Sequence, residues 1–164
     1  YVAILWIFLA WYPTFLQERF GLSMTDSGWN ATVFVQLSQV VGILGGGWLT
    51  DRLRKRWRPA RLYMAALGVF GSAPFAYWTF AAGSLNEARV FSACFGVFGG
   101  LLATNAFSAA FDVVRKENRG LGGAVVNMTG GISSGVMIYM AGIWKETIGF
   151  AGMVVWMMVV SMRV

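Results

Sequence analysis

The chain has 164 residues, of which 57% are hydrophobic and only 12% are charged, and its formal net charge is +6. Roughly a quarter of the residues of a soluble domain are charged, so this composition excludes a water-facing globule and indicates a membrane protein. The basic residues lie between apolar runs and form no stripe on a soluble face, which argues against nucleic acid as a partner. With no histidine and a single cysteine, we expect no metal site and no other cofactor.

The apolar runs predict an all-α membrane protein with six spanning helices. A helix needs about 20 apolar residues to cross the hydrocarbon core, and helices satisfy their backbone polar groups within each segment. In chain order, the predicted spans cover 1–16, 28–50, 60–82, 88–112, 121–143 and 149–163. We expect them to form one domain over 1–164. Both ends lie within apolar sequence without a signal peptide, so we expect a fragment of a longer chain.

The connectors between the spans predict the orientation. The second and fourth connectors, 51–61 and 112–120, lie on the same side as the C-terminal tail. That side carries ten basic residues against three on the other: Arg52, Arg54, Lys55, Arg56, Arg58, Arg61, Arg115, Lys116, Arg119 and Arg163 against Arg19, Arg89 and Lys145. Because cytoplasmic loops are enriched in Lys and Arg, we expect both connectors to be cytoplasmic, and we expect a multi-pass protein of the bacterial inner membrane.

The second span carries two glutamines near its centre and ends in an acid. Gln36 and Gln39 are three residues apart and therefore share one helix face. Asp51 lies at the C-terminal end of the helix, where the helix dipole disfavours a carboxylate. Either the basic cluster only sets the topology, or Asp51 has a partner, which would be the following arginines or the N-terminal end of another helix.

The fourth and fifth spans carry the remaining uncharged polar residues at membrane depth. Asn105 and Ser108 lie on one face of the fourth span, and Asn127 lies on the fifth. Such residues either line a cavity or join helices through hydrogen bonds, each of which contributes about 0.6 kcal/mol on average. Glycines four residues apart in three spans predict close helix contacts. These pairs are Gly42 with Gly46, Gly96 with Gly100, and Gly131 with Gly135.

The connector "GGGWLTDRLRKRWRPAR" resembles the signature of the major facilitator superfamily of secondary transporters. That signature reads Gly, three residues, Asp, Arg, any residue, Gly, Arg, and Arg or Lys. The residues that match it here are Gly47, Asp51, Arg52, Lys55 and Arg56. Arg54 stands where the family usually has glycine, a form more typical of the second half of these transporters.

Two further stretches support the resemblance. Residues 111–150 are similar to the region of the tenth and eleventh helices of the family. Residues 11–29 are similar to the seventh helix and following loop of its organic-anion and sugar-phosphate branches. The chain is thus expected to be helices seven to twelve, the C-terminal half of a twelve-helix fold whose N-terminal half is missing.

The resemblance implies a transporter of a small polar or anionic organic solute that works by alternating access. The matching residues of the connector would form a cytoplasmic gate against the missing half. In the family, the first and fourth helices of each half line the central cavity, which favours Tyr12 and the face with Asn105 and Ser108. The other candidate lining residues are Gln36, Gln39 and Asn127.

The mode of coupling and one alternative remain open. If the transporter is a proton symporter, its titrating carboxylate belongs to the other half, since no Asp, Glu or His lies near the middle of a span. The sequence offers no activated nucleophile and no phosphate-binding glycine loop, so we do not expect an enzyme. The alternative is a non-transporting six-helix scaffold or assembly subunit whose basic cytoplasmic face holds anionic membrane lipid or a soluble partner.

Overall fold

The computed structural model is helical throughout the part of the chain that it describes. The backbone is described over 2–57 and 59–163, and side chains over 5–57, 59–106, 108, 111, 114–115, 117–143, 149 and 152. Within these residues there are five α-helices and no strand. The helices are α1 (Val2–Phe20), α2 (Met24–Arg54), α3 (Ala60–Ala81), α4 (Leu85–Val113) and α5 (Arg119–Arg163), with a 3-10 turn at Lys116–Asn118 before α5. The predicted all-α membrane class is confirmed.

Local sequence sets the helix starts. Ser23 precedes α2 and its hydroxyl accepts a hydrogen bond from the backbone N–H of Asp26 at 3.1 Å. Ser84 precedes α4 and accepts in the same way from the N–H of Glu87 at 3.3 Å, while the Glu87 carboxylate accepts from the N–H of Gly83 at 3.0 Å. Both serines are N-caps that satisfy donors left over in a first helical turn.

Glycine conformation explains two of the breaks in the helical chain. Gly21 follows α1 with φ of +65°, a left-handed conformation that ends helices and strains other residues. Gly149 has φ of 69° and ψ of 177°, so it interrupts α5. The predicted sixth span, 149–163, begins at this interruption, and nearly all of its side chains lie outside the described residues.

Among the described residues, three helical stretches are long and apolar enough to cross a membrane: Met24–Arg54, Leu85–Ala106 and Arg119–Ile143. Many of their large apolar side chains are exposed, including Leu37, Val40, Leu44, Val125, Ile132 and Val136. Contiguous apolar exposure of this kind is rare on soluble monomers. This exposure indicates a surface that contacts lipid.

α2 is longer than the span predicted within it. Its 31 residues extend through Asp51 to Arg54, so the helix continues for one turn into the connector predicted at 51–61. At about 1.5 Å per residue, such a helix exceeds the roughly 30 Å of hydrocarbon. The beginning of the basic connector is therefore helical. Arg58 lies outside the described residues.

The bundle is organised around α4, which packs along both α2 and α3, while α1 packs against α5 and α2. Glycines allow the α2–α4 contact to be close. A Cβ at Gly46 would lie 3.1 Å from the Leu101 Cα, and one at Gly100 would lie 2.7 Å from the Ile43 nitrogen. Gly42 and Gly96 are equally tight against backbone atoms of the facing helix. Because no side chain separates the helices, their backbones meet directly.

The third predicted glycine pair behaves differently. A Cβ at Gly131 or Gly135 would meet nothing within 4 Å in the described structure. The glycine spacing thus marks a contact inside this chain on α2 and α4, but not on α5. The reason is that the α5 face bearing these glycines has no neighbouring helix here.

Aromatic rings fill the core between α1, α3 and α4. Phe8 stacks on Phe95 with ring centroids 4.2 Å apart and meets the edge of Phe80 at 5.3 Å. Tyr12 and Phe15 extend the same cluster along α1. This aromatic core holds α1 against the α3–α4 pair.

Candidate functional site

The charged residues of the predicted gate lie on one exposed face at the C-terminal end of α2 and directly after it. Trp48, Asp51, Arg52 and Lys55 occupy positions i, i+3, i+4 and i+7, which are neighbours on a helix surface. All four are exposed, as is Arg56 one turn beyond Arg52. They border a groove of about 700 Å³, which we call the α2-end groove. Its described lining residues are Trp48, Leu49, Asp51, Arg52, Leu53, Lys55 and Arg56.

The charges of this groove are unbalanced within the chain. The guanidinium of Arg52 lies over the ring of Trp48, 5.4 Å from the centroid, a cation–π contact that orients it. The Asp51 carboxylate makes no hydrogen bond or ion pair to the described residues, so the following arginines that are described do not neutralise it. Its expected partner, if it has one, is not among the residues that the structure describes.

Gly47 is the matching residue that lies closest to the bundle. It is half-buried, and a Cβ there would lie 3.5 Å from the Thr104 hydroxyl on α4, an ordinary contact. Thr50, one turn after Gly46, is 1% exposed, and its hydroxyl has no hydrogen-bond partner in the described part of the chain. The α2 face that packs on α4 is therefore opposite the face that carries the gate charges.

The C-terminal half of α4 brings two predicted lining residues close to the bundle interior. Asn105 is 2% exposed, and its amide donates to the Leu101 carbonyl at 2.7 Å. Ser108 is half-buried, and its carbonyl accepts from the Arg61 guanidinium at 3.5 Å. Asn105 is thus enclosed by this chain, while the Arg61 contact links the start of α3 to α4.

The other predicted lining residues are scattered over three helices. Tyr12 is fully buried, and its hydroxyl donates to the Ala88 carbonyl at 3.1 Å. Gln39 is half-buried, with its backbone at the tight contact to α4. Gln36 and Asn127 are exposed on α2 and α5. Of the six, only these two present amides on the open surface of the described structure.

A polar cluster at the N-terminal ends of α2 and α4 was not predicted from the sequence. Arg89 is half-buried, and its Nε donates to the Asn30 side-chain oxygen at 2.8 Å. A second guanidinium N–H donates to Asn86 at 3.3 Å, and the group lies over Phe34, 5.5 Å from the ring centroid. Asn30 is 7% exposed and donates to the Asp26 carbonyl at 2.7 Å. The signal available in the sequence was an amide near the N-terminal end of one apolar span and an arginine near the N-terminal end of another.

Metal chemistry finds no support in the described residues. They contain no group of three or more His, Cys, Asp or Glu side chains close enough to hold an ion. Cys94 is a free, half-buried thiol on α4. The side chain of Asp112, at the inner end of α4, lies outside the described residues.

Comparison with known proteins gives one family over nearly the whole chain. A sequence model of the Major Facilitator Superfamily matches residues 1–162. The probable sulfoacetate transporter SauU of Cupriavidus necator is 31% identical over 154 residues, which cover 88% of this chain and 34% of that protein. The D-galactonate transporter of Escherichia coli is 26% identical over 163 residues, which cover 96% of this chain and 37% of that protein. The uncharacterized transporter YybO of Bacillus subtilis is 36% identical over 53 residues, or 32% of this chain and 12% of that protein.

These matches confirm the family that the connector signature predicted, whereas the assignment to the C-terminal half and to a branch stays a prediction. The chain spans about a third of the length of the first two relatives. The family is one of membrane transport proteins, not enzymes, and its multi-pass character agrees with the exposed apolar helices. The chain belongs to the Major Facilitator Superfamily.

Proposed function

We propose that the full-length protein is a secondary transporter of small organic anions and that this chain forms one six-helix half of it. The observation that carries the proposal is the pair of relatives aligned along 88% and 96% of the chain. Their names refer to sulfoacetate and D-galactonate, both small organic acids that are anionic at neutral pH. The chemistry that the two solutes share is a carboxylate on a short carbon chain.

The charge distribution supports an orientation for this transporter. The connectors 51–61 and 112–120 contain nine of the ten basic residues on their side, and the tail contains the tenth. Short connectors between successive helices put these two on the same side of a membrane-crossing bundle. By the preference of Lys and Arg for the cytoplasm, we assign both connectors to the cytoplasmic side of a bacterial inner membrane.

We assign the gate to the C-terminal end of α2 and the residues directly after it, where Asp51, Arg52, Lys55 and Arg56 are exposed and Gly47 is half-buried. Among the described residues, the charges of Asp51, Lys55 and Arg56 have no ion-pair partner and the Arg52 guanidinium lies over the Trp48 ring, so these groups are available to partners outside this chain. A missing N-terminal half is the partner that this assignment requires, and alternating access would make and break the contact.

The gate can be tested with one substitution in the full-length protein. Asp51→Asn is expected to slow turnover while solute binding stays largely intact, because the residue lies at the end of α2 and not at the middle of a span. The matched control is Glu117→Gln, which neutralises an exposed acid of the other basic connector. Equal turnover of Asp51→Asn and wild type would refute the gate.

For the solute pathway, we propose that the exposed amides Gln36 and Asn127 face the cavity and that Tyr12, Asn105, Ser108 and Gln39 support it from within the bundle. Exposed amides can donate hydrogen bonds to a carboxylate or sulfonate. Asn127→Ala is expected to raise the KM for an anionic solute. Thr129→Ala, an exposed polar residue of the same helix whose hydroxyl is already bonded to the Val125 carbonyl, is the control.

The proposed function is tested by uptake into cells or proteoliposomes that contain the full-length protein. We expect the cells or proteoliposomes to accumulate labelled D-galactonate or sulfoacetate, or another small organic acid that competes with them. Neutral galactose should not accumulate. A proton gradient that drives uptake would establish symport, with the coupling carboxylate outside this chain. Absence of uptake for a panel of organic acids, by a protein shown to be folded and inserted, would overturn the proposal.

A further inference from the structure

The α2-end groove has one apolar wall and one basic wall. Trp48, Leu49 and Leu53 are 63%, 40% and 39% exposed, which is unusual for large apolar side chains unless lipid or protein covers them. Beside them lie the cations of Arg52, Lys55 and Arg56. A ligand that fills about 700 Å³ along both walls must be apolar at one end and anionic at the other.

Aromatic residues place the groove at the depth of lipid headgroups. Trp48 is one of them, and the exposed rings of Trp57 and Tyr63 pack against each other just beyond α2, with centroids 4.4 Å apart. Trp and Tyr concentrate at the interface between membrane and water. The groove therefore opens where the apolar stretch of α2 gives way to charge, which is where phosphate groups of lipids lie.

The net positive charge of the groove favours binding of an anion. Three cations face one acid, and neither Lys55 nor Arg56 makes an ion pair with a described residue. The Trp48 ring holds the Arg52 guanidinium, so less side-chain freedom is lost when an anion binds. The groove also lies away from α4, since the face of α2 that packs on α4 is the one with Gly42, Gly46 and Thr50.

We propose that the α2-end groove binds the phosphate-bearing headgroup of an anionic phospholipid in the state in which alternating access has separated the gate residues from the N-terminal half; in this respect the inference rests on the proposed gate. The phosphate pairs with Arg52, Lys55 and Arg56, and the start of the acyl chains lies on Trp48, Leu49 and Leu53. Basic pockets at the cytoplasmic ends of membrane helices bind such headgroups, with about 1 kcal/mol from each nearby cation. This proposal does not depend on which solute the protein carries.

The test measures lipid binding by the purified, delipidated full-length protein in detergent. The midpoint of thermal unfolding is followed as phosphatidylglycerol is added, with phosphatidylcholine as the zwitterionic probe and inorganic phosphate as the soluble one. We expect phosphatidylglycerol alone to raise the midpoint. A rise of the same size with phosphatidylcholine or with inorganic phosphate would overturn the lipid assignment. Absence of a rise with phosphatidylglycerol would overturn it as well, because another part of the protein would then fill the groove.

Two matched double variants locate the site. R52Q/R56Q removes two cations of the groove, and we expect the mole fraction of phosphatidylglycerol at half-maximal effect to increase about 25-fold, or about fivefold per charge. R115Q/R119Q removes two exposed arginines of the other basic connector and should leave that mole fraction within about twofold. Equal losses in the two variants would show a general charge effect and refute the groove.

A third variant keeps every charge. Trp48→Leu preserves the apolar wall but removes the ring under Arg52, and it should weaken phosphatidylglycerol binding about two- to fivefold. This variant also covers the case in which R52Q/R56Q does not fold. Unchanged binding by a folded Trp48→Leu would show that the ring does not position the guanidinium, and the proposed headgroup geometry would then be wrong.

Discussion

Replacing Gly42 by alanine tests the closest helix contact in the chain. A Cβ at Gly42 would lie 2.8 Å from the Val97 carbonyl carbon and 3.0 Å from its Cα, with the Val97 oxygen closer still. Ordinary van der Waals contact begins at 3.4 Å, so α2 and α4 must separate by at least 0.6 Å, the difference between 3.4 and 2.8 Å. The obstructing atoms belong to a helix backbone and cannot rotate away as a side chain would.

The free-energy cost follows from two opposing effects. Overfilling a packed contact costs about 1–3 kcal/mol, and alanine gains about 0.8–1.0 kcal/mol over glycine in a helix interior. Gly45→Ala is the matched control because it lies on the same helix and its Cβ would meet nothing within 4 Å. Since both variants gain the same helix propensity, Gly42→Ala should be less stable than Gly45→Ala by about 1–3 kcal/mol.

The assay is unfolding of the full-length protein in detergent, followed by tryptophan fluorescence against temperature and against added denaturing detergent. We expect the midpoint of Gly42→Ala to be several degrees below that of Gly45→Ala, which should equal or exceed the wild type. A Gly42→Ala protein as stable as Gly45→Ala would refute the direct backbone contact between α2 and α4, together with the packing order described for the bundle.

Two further predictions concern hydrogen bonds that join other helices to the N-terminal end of α4. Arg89→Lys keeps the charge but loses the Nε donor to Asn30, and it should lower the free energy of unfolding by about 1–2 kcal/mol. In a double-mutant cycle with Asn30→Ala, the two losses should be non-additive. Additive losses would contradict the hydrogen bond. Tyr12→Phe removes the bond to the Ala88 carbonyl and should cost about 1 kcal/mol. Tyr139→Phe, at a ring that is 74% exposed, should change stability far less, and equal effects of the two would contradict the buried role of Tyr12.

The gate residues show how far the sequence alone could go. The spacing of Gly47, Asp51, Arg52 and Lys55 predicted the family, and the structure adds that the first three lie on α2 and that Lys55 follows directly as its C-cap. Helical spacing then explains why the acid and the cations share one face. The 5.4 Å contact between Arg52 and Trp48 depends on rotamers, which the sequence pattern does not contain.

The polar residues within the spans were harder to interpret from the sequence. Tyr12 and Asn105 could equally line a cavity or bond within the bundle, because hydropathy places a residue at a depth but leaves its direction open. Their burial depends on how α1 and α4 are rotated about their axes. Asn30 was overlooked because its role depends on Arg89, which is 59 residues away in the chain.

The sequence by itself determined the membrane class and the family, and it predicts the approximate spans and the side that carries the basic residues. These are properties of composition, of runs of about twenty residues and of one short motif, and each can be read without knowing which helices are neighbours. Only the tertiary structure decided that the glycines of α2 and α4 meet while Gly131 and Gly135 face open space. It also decided that Arg89 reaches Asn30 and that Tyr12 is enclosed. Such contacts depend on the order, rotation and separation of whole helices. Glycine pairs with identical spacing therefore lie at a helix contact on α2 and α4 but not on α5.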